Sequence, residues 1–276
     1  MKTLQIGTTF RIVGVLAALG IVVFPFYWML VTALTSDDNM FGAVPQLIPD
    51  FSRLGIFGEV LGSHSVQLWL MNSAIIAAGT AALSVVLAIP VAYALSRYSF
   101  KGKILLTLGL LLTQMLPEAL LVVPMFGIFR QLDLLNSLAS LIMANTAFVM
   151  PVVAFILKGA IDGIPKSIEE AARVDGCRPL SILGRIILPL IGPTIAAITV
   201  IAFFHGWNEY VFAQTFIFDP EKQPASVGLA GFVGELSTPI QSVMAVAIMY
   251  TLPAVVFYLF AQKYFVSGIT AGGVKG

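Results

Sequence analysis

The stretch that decides the fold is residues 68–95, LWLMNSAIIAAGTAALSVVLAIPVAYAL, which contains no charged side chain. An α-helix needs about 20 mostly apolar residues to cross the hydrocarbon core of a membrane, and this stretch exceeds that length. Its length and composition predict a membrane-spanning helix. Five further stretches share this character, and the six together cover residues 12–34, 68–95, 104–129, 138–157, 186–204 with an extension toward 216, and 243–260.

The composition of the whole chain agrees with a protein made for lipid. Hydrophobic residues make up 58% of its 276 residues and charged residues 11%, whereas an ordinary soluble protein carries about 25% charged residues. The formal net charge of +1 provides no basic field to attract nucleic acid. The single cysteine, Cys177, excludes an intramolecular disulfide, and His64 and His205 have no metal-ligand spacing. We therefore expect an all-α integral membrane protein, with one transmembrane domain over residues 1–276.

The orientation in the membrane follows from the basic residues. The first stretch, residues 12–34, exceeds the apolar region of a signal peptide, about 7–15 residues, and no cleavage site follows it, so we interpret it as a retained helix. Cytoplasmic loops are enriched in Lys and Arg. Of the fifteen basic residues, all but Arg53, Arg130 and Lys222 fall on the side of the two termini, which predicts that both termini are cytoplasmic. Residues 35–67 and 219–241 are then outer loops, which we expect to act as lids or docking surfaces.

The most informative cytoplasmic loop covers residues 158–185 and is long enough to contain helices of its own. Ser167 and Glu170 have the spacing of a capping box, which predicts that a short helix begins there. Gly176 is the kind of residue that commonly ends a helix, and Pro179 is tolerated in the first turn of a second one. One interpretation is an amphipathic hairpin that rests on the lipid headgroups. The other is a docking element for a cytoplasmic partner.

This loop resembles the EAA loop in the membrane subunits of ABC-type importers. The residues at the defining positions are Glu170-Ala171-Ala172, Gly176, Ile186 and Leu188-Pro189. The resemblance continues in Trp207-Asn208-Glu209 and in the tail at residues 268–276, which look like the maltose-type second permease of the carbohydrate-uptake branch. It covers nearly the whole chain from the second span onward. Cys177 and Leu183 depart from the family pattern, in which alanine and phenylalanine are frequent, but both keep an apolar side chain.

The resemblance implies that the loop forms coupling helices, which seat on a cytoplasmic ATPase subunit and carry its closure to the spans. The residues assigned to this contact are Glu169, Glu170, Ala171, Ala172, Asp175, Gly176 and Leu183. The resemblance also suggests that the C-terminal tail reaches the ATPase interface, through Thr270, Gly272, Gly273 and Lys275. Because the tail shows no helix-forming pattern, a disordered end is the alternative.

The chain lacks the motifs that would supply its own chemistry. It contains no G-x-x-x-x-G-K-[ST] phosphate loop, no G-x-S-x-G nucleophile turn and no H-E-x-x-H zinc helix. The resemblance then implies a chain that is not an enzyme and holds no cofactor or metal, with ATP and Mg bound by two separate ATPase subunits. Its other implied partners are a second, homologous permease subunit, an extracytoplasmic solute-binding protein and a sugar. The expected location is the cytoplasmic membrane of a bacterium or archaeon.

Two acidic residues fall inside predicted spans, where inserting a charge costs about 2.5–3.5 kcal/mol. Neighbouring prolines and glycines suggest irregular helices that line a cavity. Glu118 is either a pathway residue or a hydrated acid near the outer interface, and Glu209 either a pathway residue or a structural group bonded to a neighbouring subunit. Sugars need aromatic platforms beside polar partners, so the candidate pathway residues are Glu118, Asn145, Trp207, Asn208, Glu209 and Tyr210. Asn72 is a further candidate, although such residues and Asn145 more often join helices.

The sequence therefore predicts a permease subunit of an ATP-driven importer of a mono- or oligosaccharide, which works by alternating access. Because no Lys or Arg lies deep in a predicted span, a neutral solute is favoured. Glycerol phosphate or another small polar solute remains the alternative, since helix N-termini or the second permease could supply positive potential. An ion-coupled secondary transporter would need internal repeats and paired intramembrane charges. An intramembrane enzyme would need a nucleophile beside a base, and the sequence shows neither pattern.

Overall fold

The computed structural model of the protein describes residues 2–40, 42, 44–62, 64–234 and 239–273, with backbone alone for residues 2–10, 64, 234, 261 and 263–273. Over these ranges the chain is helical and forms no β-strand, which confirms the all-α prediction. The α-helices are α1 (Lys2–Ala33), α2 (Asp37–Met40), α3 (Gly55–Gly62), α4 (His64–Arg97), α5 (Lys103–Thr113), α6 (Glu118–Gln131), α7 (Leu138–Asp162), α8 (Lys166–Val174), α9 (Pro179–Ile182), α10 (Leu188–Leu190), α11 (Gly192–Trp207), α12 (Val211–Phe216), α13 (Ala225–Gly234) and α14 (Ile240–Gly273). Short 3-10 helices lie at Phe51–Arg53 and Pro220–Lys222.

Five segments of the described chain are long and apolar enough to cross a membrane. They are Arg11–Ala33, Ser65–Arg97, Leu138–Asp162, Gly192–Phe216 and Ile240–Phe260. These segments coincide with the first, second, fourth, fifth and sixth predicted spans. A bent pair of helices, Lys103–Thr113 and Glu118–Gln131, passes the same test when taken together, which gives up to six spans among the described residues.

The third predicted span, residues 104–129, is not one helix. It consists of α5 and α6, with a bend of 106° at the break between them. Pro117 precedes α6 in an extended conformation, with φ −62° and ψ 132°. Proline has no N–H to donate and disfavours the helical conformation of the residue before it. The irregularity predicted beside Glu118 is therefore a full break of the third span at residues 114–117.

The fifth predicted span, residues 186–204 with an extension toward 216, is also interrupted. A π-helical turn at Leu183–Ile187 and the short α10 precede α11. Pro193 lies in the first turn of α11, where the missing N–H has no intrahelical partner to lose. A second interruption, at residues 208–210, separates α11 from α12. The extension toward 216 is thus a separate short helix.

The loop at residues 158–185 contains both short helices, but the first begins earlier than predicted. Pro165 is the N-cap of α8, so Ser167 lies inside the helix and the predicted capping box is not formed. The helix ends as predicted, because Gly176 adopts φ +81°, a conformation that glycine adopts at little cost. Pro179 opens α9, also as predicted.

The larger compact unit of the chain covers residues 68–228 and 253–276. One of its apolar clusters joins α4, α7 and α11 and continues into the loop helices through Ala172, Ile182 and Leu183. Helices α4 and α11 approach closely at Gly206, where a Cβ would lie 2.9 Å from the Cα of Ala77. A second cluster joins α4, α6, α7 and α12. The loop helices are therefore packed into the core of this unit. A hairpin that rests on the lipid headgroups would not be packed in this way.

The smaller unit covers residues 1–67 and 229–252 and contains the first predicted outer loop. This loop forms α2, a 3-10 helix and α3. Arg53 Nη1 donates to the carbonyl oxygen of Thr35 at 2.7 Å. Asp50 accepts hydrogen bonds from the hydroxyl and the N–H of Ser52, and these bonds hold the pKa of Asp50 below its ordinary value. The loop is thus folded through its own polar contacts.

Candidate functional site

Helix α8 divides the residues predicted to contact an ATPase into two sets. Glu170, Ala171, Asp175 and Gly176 are exposed, whereas Glu169, Ala172 and Leu183 are buried. Residues three positions apart share a face of an α-helix, so Glu169 and Ala172 face the protein core together. The four exposed residues are available to a separate chain. The three buried residues attach the loop helices to the rest of the protein.

Glu169 is held by a buried ion pair. Its Oε1 accepts a hydrogen bond from Arg97 Nε, and its Oε2 accepts one from the Tyr93 hydroxyl at 3.1 Å. The side chains of Arg97 and Glu169 are only 5% and 4% exposed, so both charges are removed from water and depend on each other. Sequence reasoning treated Arg97 only as a basic loop residue. It missed the pair because the two partners lie 72 positions apart.

A small cavity opens beside this ion pair. It has a volume of about 90 Å³ and is lined by Arg97, Lys166, Glu169, Glu170 and Arg173. This volume is enough for a few water molecules or one side chain. Its size and mixed charge suit a polar side chain of a neighbouring protein.

A larger cavity lies beside the interruption of the fifth span. Its volume is about 420 Å³, and its lining consists of Glu118, Ile201, Phe204, His205, Asn208, Glu209, Tyr210 and Val211. An adjoining cavity of about 230 Å³ shares Glu118, Ile201 and His205 and extends to Thr113, Gln114 and Leu116 at the break of the third span. Both helix breaks therefore line connected space, which confirms that the irregular helices border a cavity.

The carboxylate of Glu209 organises the break between α11 and α12. Glu209 is 4% exposed, and its Oε1 accepts the N–H groups of Phe212 at 2.7 Å and Ala213 at 3.2 Å. These N–H groups belong to the first turn of α12 and have no intrahelical acceptor. An acid at this position also faces the positive end of the helix. Glu209 therefore has a structural role within its own chain, whereas the predicted bond to a neighbouring subunit stays a prediction, and the residue also borders the cavity.

Glu118 and His205 meet across the cavity. Glu118 Oε1 lies 3.4 Å from His205 Nε2, and the two side chains are 39% and 24% exposed. Glu118 is in the first turn of α6, and His205 is in the last turn of α11. This contact joins α6, which follows the break in the third span, to α11, which precedes the break in the fifth span.

The structure brings four of the six predicted pathway residues together: Glu118, Asn208, Glu209 and Tyr210. The other two do not line this cavity. Trp207 is buried and stacks on Phe203, with ring centroids 5.8 Å apart. Asn145 is buried in α7, where its amide donates to the carbonyl oxygen of Leu141 at 2.8 Å and also hydrogen-bonds the Glu209 side chain behind the lining. His205 lines the cavity but was not predicted, although its spacing of four residues from Glu209 is typical of one helical face.

Two further predictions concern Asn72 and the C-terminal tail. The amide of Asn72 donates to the backbone oxygens of Glu221 at 2.8 Å and Gln223 at 3.0 Å, so it joins a helix to a loop. The last helix, α14, continues to Gly273, which corrects the expectation that the tail has no helical structure. Only the backbone of Thr270, Gly272 and Gly273 is described, and Lys275 lies outside the described residues, so their predicted contact with an ATPase stays a prediction.

Comparison with known proteins gives a family and several curated relatives. Residues 84–271 match the family described as binding-protein-dependent transport system inner membrane component. The chain is 34% identical over 268 residues to the trehalose/maltose transport system permease protein MalG of Thermococcus litoralis, covering 96% of each chain. It is 30% identical over 253 residues to the sulfoquinovosyl glycerol transport system permease protein SmoH of Agrobacterium fabrum, covering 92% of this chain and 89% of the relative. It is 34% identical to the melibiose/raffinose/stachyose import permease protein MelC of Bacillus subtilis, covering 91% of each.

Solved structures share the fold. A chain of a bacterial ABC transporter involved in the import of the acidic polysaccharide alginate superposes with a TM-score of 0.82 at 23% identity, covering 96% of this chain and 98% of that one. A bacterial alginate ABC transporter in complex with an alginate pentasaccharide-bound periplasmic protein gives a TM-score of 0.66 at 18% identity, covering 93% and 94%. At these identities the likeness shows the fold alone, which is that of an ABC transporter permease.

Proposed function

This chain belongs to the binding-protein-dependent transport system inner membrane component family, and we propose that it is the permease subunit of an ATP-driven importer of a neutral sugar. It is a multi-pass protein of the cytoplasmic membrane. The names of three curated relatives specify sugars or sugar derivatives as their cargo, which supports a saccharide as the substrate. Family membership argues against an ion-coupled secondary transporter and against an intramembrane enzyme.

The observation that carries the proposal is the way in which α8 and α9 pack against the spans. Their buried residues, Ala172, Ile182 and Leu183, pack into the cluster formed by the spans α4, α7 and α11, while Glu170 and Asp175 remain exposed. A force applied to the exposed face would reach the spans directly, since a close-packed core transmits displacement with little compression. This is the arrangement that a coupling element requires.

The energy source and the partners follow from the same proposal. Two cytoplasmic ATPase subunits bind ATP and Mg and seat on α8 and α9, and this chain binds no cofactor. A second permease subunit encloses the pathway together with this chain, and an extracytoplasmic binding protein delivers the sugar. Both termini are then cytoplasmic, as the distribution of Lys and Arg indicates. Closure and opening of the ATPase subunits drive alternating access.

The charge of the larger cavity supports a neutral substrate. Glu118 and Glu209 contribute carboxylates to its lining, Asn208 and Tyr210 contribute neutral polar groups, His205 contributes an imidazole beside Glu118, and none of the described lining residues is Lys or Arg. A carboxylate or phosphate on the substrate would meet like charge in a region partly screened from water. Hydroxyl groups, in contrast, can both donate to and accept from this set of side chains. The lining therefore favours a neutral sugar over glycerol phosphate.

The proposal is tested by assembling the chain with its ATPase, second permease and binding protein in proteoliposomes and measuring uptake of labelled maltose, trehalose and melibiose. We expect ATP-dependent uptake of at least one neutral saccharide, with no uptake of glycerol phosphate. Glu170→Arg places a cation at the exposed coupling face. We expect it to abolish uptake while the chain still inserts in the membrane, because the contact with the ATPase would be repelled or misaligned.

The matched control is Lys101→Glu, a charge reversal at an exposed residue between α4 and α5. Uptake should stay at the wild-type level in this variant, which separates a general effect of altered charge from an effect at α8. Unimpaired uptake by Glu170→Arg at normal membrane abundance would contradict the coupling role.

A further inference from the structure

The end of α4 at Arg97 contacts three successive parts of the chain. Arg97 Nη2 donates to the carbonyl oxygen of Ile164 at 2.9 Å, in the linker between α7 and α8. Ser96 Oγ donates to Asp162 Oδ1 at 2.5 Å, in the last turn of α7. Arg97 Nε donates to Glu169 in the first half of α8. One turn of a spanning helix thus sets the path of the chain from α7 into the first coupling helix.

The Arg97–Glu169 pair is the charged and fully buried part of this arrangement. Taking two charges out of water is expensive, and apolar residues of similar size often stabilise a fold equally well. The cluster of Ala172, Ile182 and Leu183 already attaches α8 and α9 to the spans through apolar packing. The pair adds direction, because a planar guanidinium bonded at Nε and Nη2 can keep both bonds only in one orientation.

The neighbours of Glu169 on α8 place this pair beside the exposed coupling face. Glu170 follows Glu169 directly and is exposed. Glu170 and Arg173 line the same small cavity as Arg97 and Glu169. A protein that contacts the exposed face of α8 therefore acts on the helix one residue away from its charged attachment to α4.

We propose that Arg97 and Glu169 are positioning residues that fix the angle of α8 against α4 and pass the displacement of α8 to the second span. This inference rests on the proposed function, since it assumes that a partner moves α8. In this proposal the ion pair transmits the movement of α8, which the ATPase contacts, to the spans that line the pathway. The exposed residues of α8 cannot transmit that movement. The second span lies in the core cluster with α7 and α11, so motion of its end reaches the other spans.

The test compares uptake with ATP hydrolysis in the complete importer in proteoliposomes. The double variant Arg97→Met with Glu169→Leu replaces both charges by apolar side chains of similar volume, so that no unpaired charge is left in the core. We expect membrane abundance and co-purification with the ATPase to match the wild type. The number of sugars transported per ATP should fall about tenfold, which is within the usual range of coupling between distant sites.

Two variants separate positioning from a general structural role. Arg97→Lys keeps a cation opposite Glu169 but cannot hold the bonds to Glu169 and Ile164 in one fixed orientation, so transport per ATP should fall while membrane abundance stays normal. Lys101→Gln removes an exposed cation four positions along the chain from Arg97. It should leave transport per ATP unchanged, because Lys101 lies beyond the end of α4 and outside the ion-pair arrangement.

Transport per ATP within twofold of the wild type in the double variant would overturn the inference. If the double variant does not reach the membrane, Glu169→Gln decides, because it keeps the shape of the side chain and removes its charge. Unchanged transport per ATP in Glu169→Gln would also overturn the inference. A wild-type assembly that imports no sugar contradicts the proposed function itself, which distinguishes that failure from a failure of the ion-pair role.

Discussion

The two ends of α4 hold their neighbours by different means. At the end near Trp69, neutral side chains bind the backbone of residues 220–225: Trp69 Nε1 donates to Pro220 O at 3.2 Å, Asn72 donates to two further carbonyls, and Ser73 Oγ accepts the Ala225 N–H at 2.8 Å. At the end near Arg97, the Arg97 side chain forms a buried ion pair with Glu169 of α8. Neutral groups hold backbone in place at a modest cost of desolvation, whereas a charge pair is costly and strongly directional. We therefore expect the end of α4 near Trp69 to stay in place and the end near Arg97 to transmit force.

The largest expected effect is at the charged end. Arg97→Met alone leaves the Glu169 carboxylate buried without its cation, and we expect a loss of about 3–5 kcal/mol in the free energy of unfolding. Thermal unfolding of the detergent-solubilised protein measures this. The double variant with Glu169→Leu should recover most of the loss, since neither charge then remains. Equal destabilisation by the single and double variants would show that packing, and not charge, matters at this end.

The next effect probes the packing at the neutral end. A Cβ at Gly228 would overlap the ring of Trp69, so Gly228→Ala must displace the indole and its bond to Pro220. Inserting a methyl group into a packed site typically costs about 1–3 kcal/mol, and we expect a lower thermal midpoint of that order. Gly231→Ala is the control on the same helix, because a Cβ there meets no atom within 4 Å. A midpoint equal to that of the control would refute the close packing of Trp69.

The smallest effect is expected from the hydrogen bonds at the neutral end. Asn72→Leu removes the donors to the carbonyls of Glu221 and Gln223. Glu221 is exposed and Gln223 half-buried, so water can replace part of the bonding and the loss should be about 1–2 kcal/mol. Transport per ATP should remain normal, unlike in the variants of the charged pair. A tenfold loss of coupling in Asn72→Leu would remove the distinction between the two ends.

Much of the fold was predictable because it depends on local composition. Long apolar stretches require helices in lipid, since every backbone N–H and carbonyl must be satisfied within the segment. The break of the third span was not predictable from Pro117, because Pro90, Pro124 and Pro151 lie inside helices without ending them. Whether a proline ends a membrane helix depends on the neighbours that can satisfy the released carbonyl group. That information is not local.

The candidate sites also contain some features that the local sequence predicts and others that depend on distant residues. The loop at residues 158–185 was recognisable because Glu170, Gly176 and Pro189 follow a fixed spacing, and glycine at a positive φ is a local requirement. The adjacent acids Glu169 and Glu170 could not be told apart, because their roles depend on the distant Arg97. His205 was missed for a similar reason, since its contact with Glu118 joins two separate spans.

The amino-acid sequence was sufficient to determine an all-α membrane protein, the approximate limits of five spans and the location of the loop with two short helices. These features follow from hydrophobicity, helix-ending residues and short-range spacing, which act within a few turns of chain. Only the tertiary structure decided where the third span breaks, which acid of α8 faces the core and which polar residues share a cavity. Each of those outcomes depends on contacts between residues far apart in sequence, and burial gives such contacts their strength by removing the competing water.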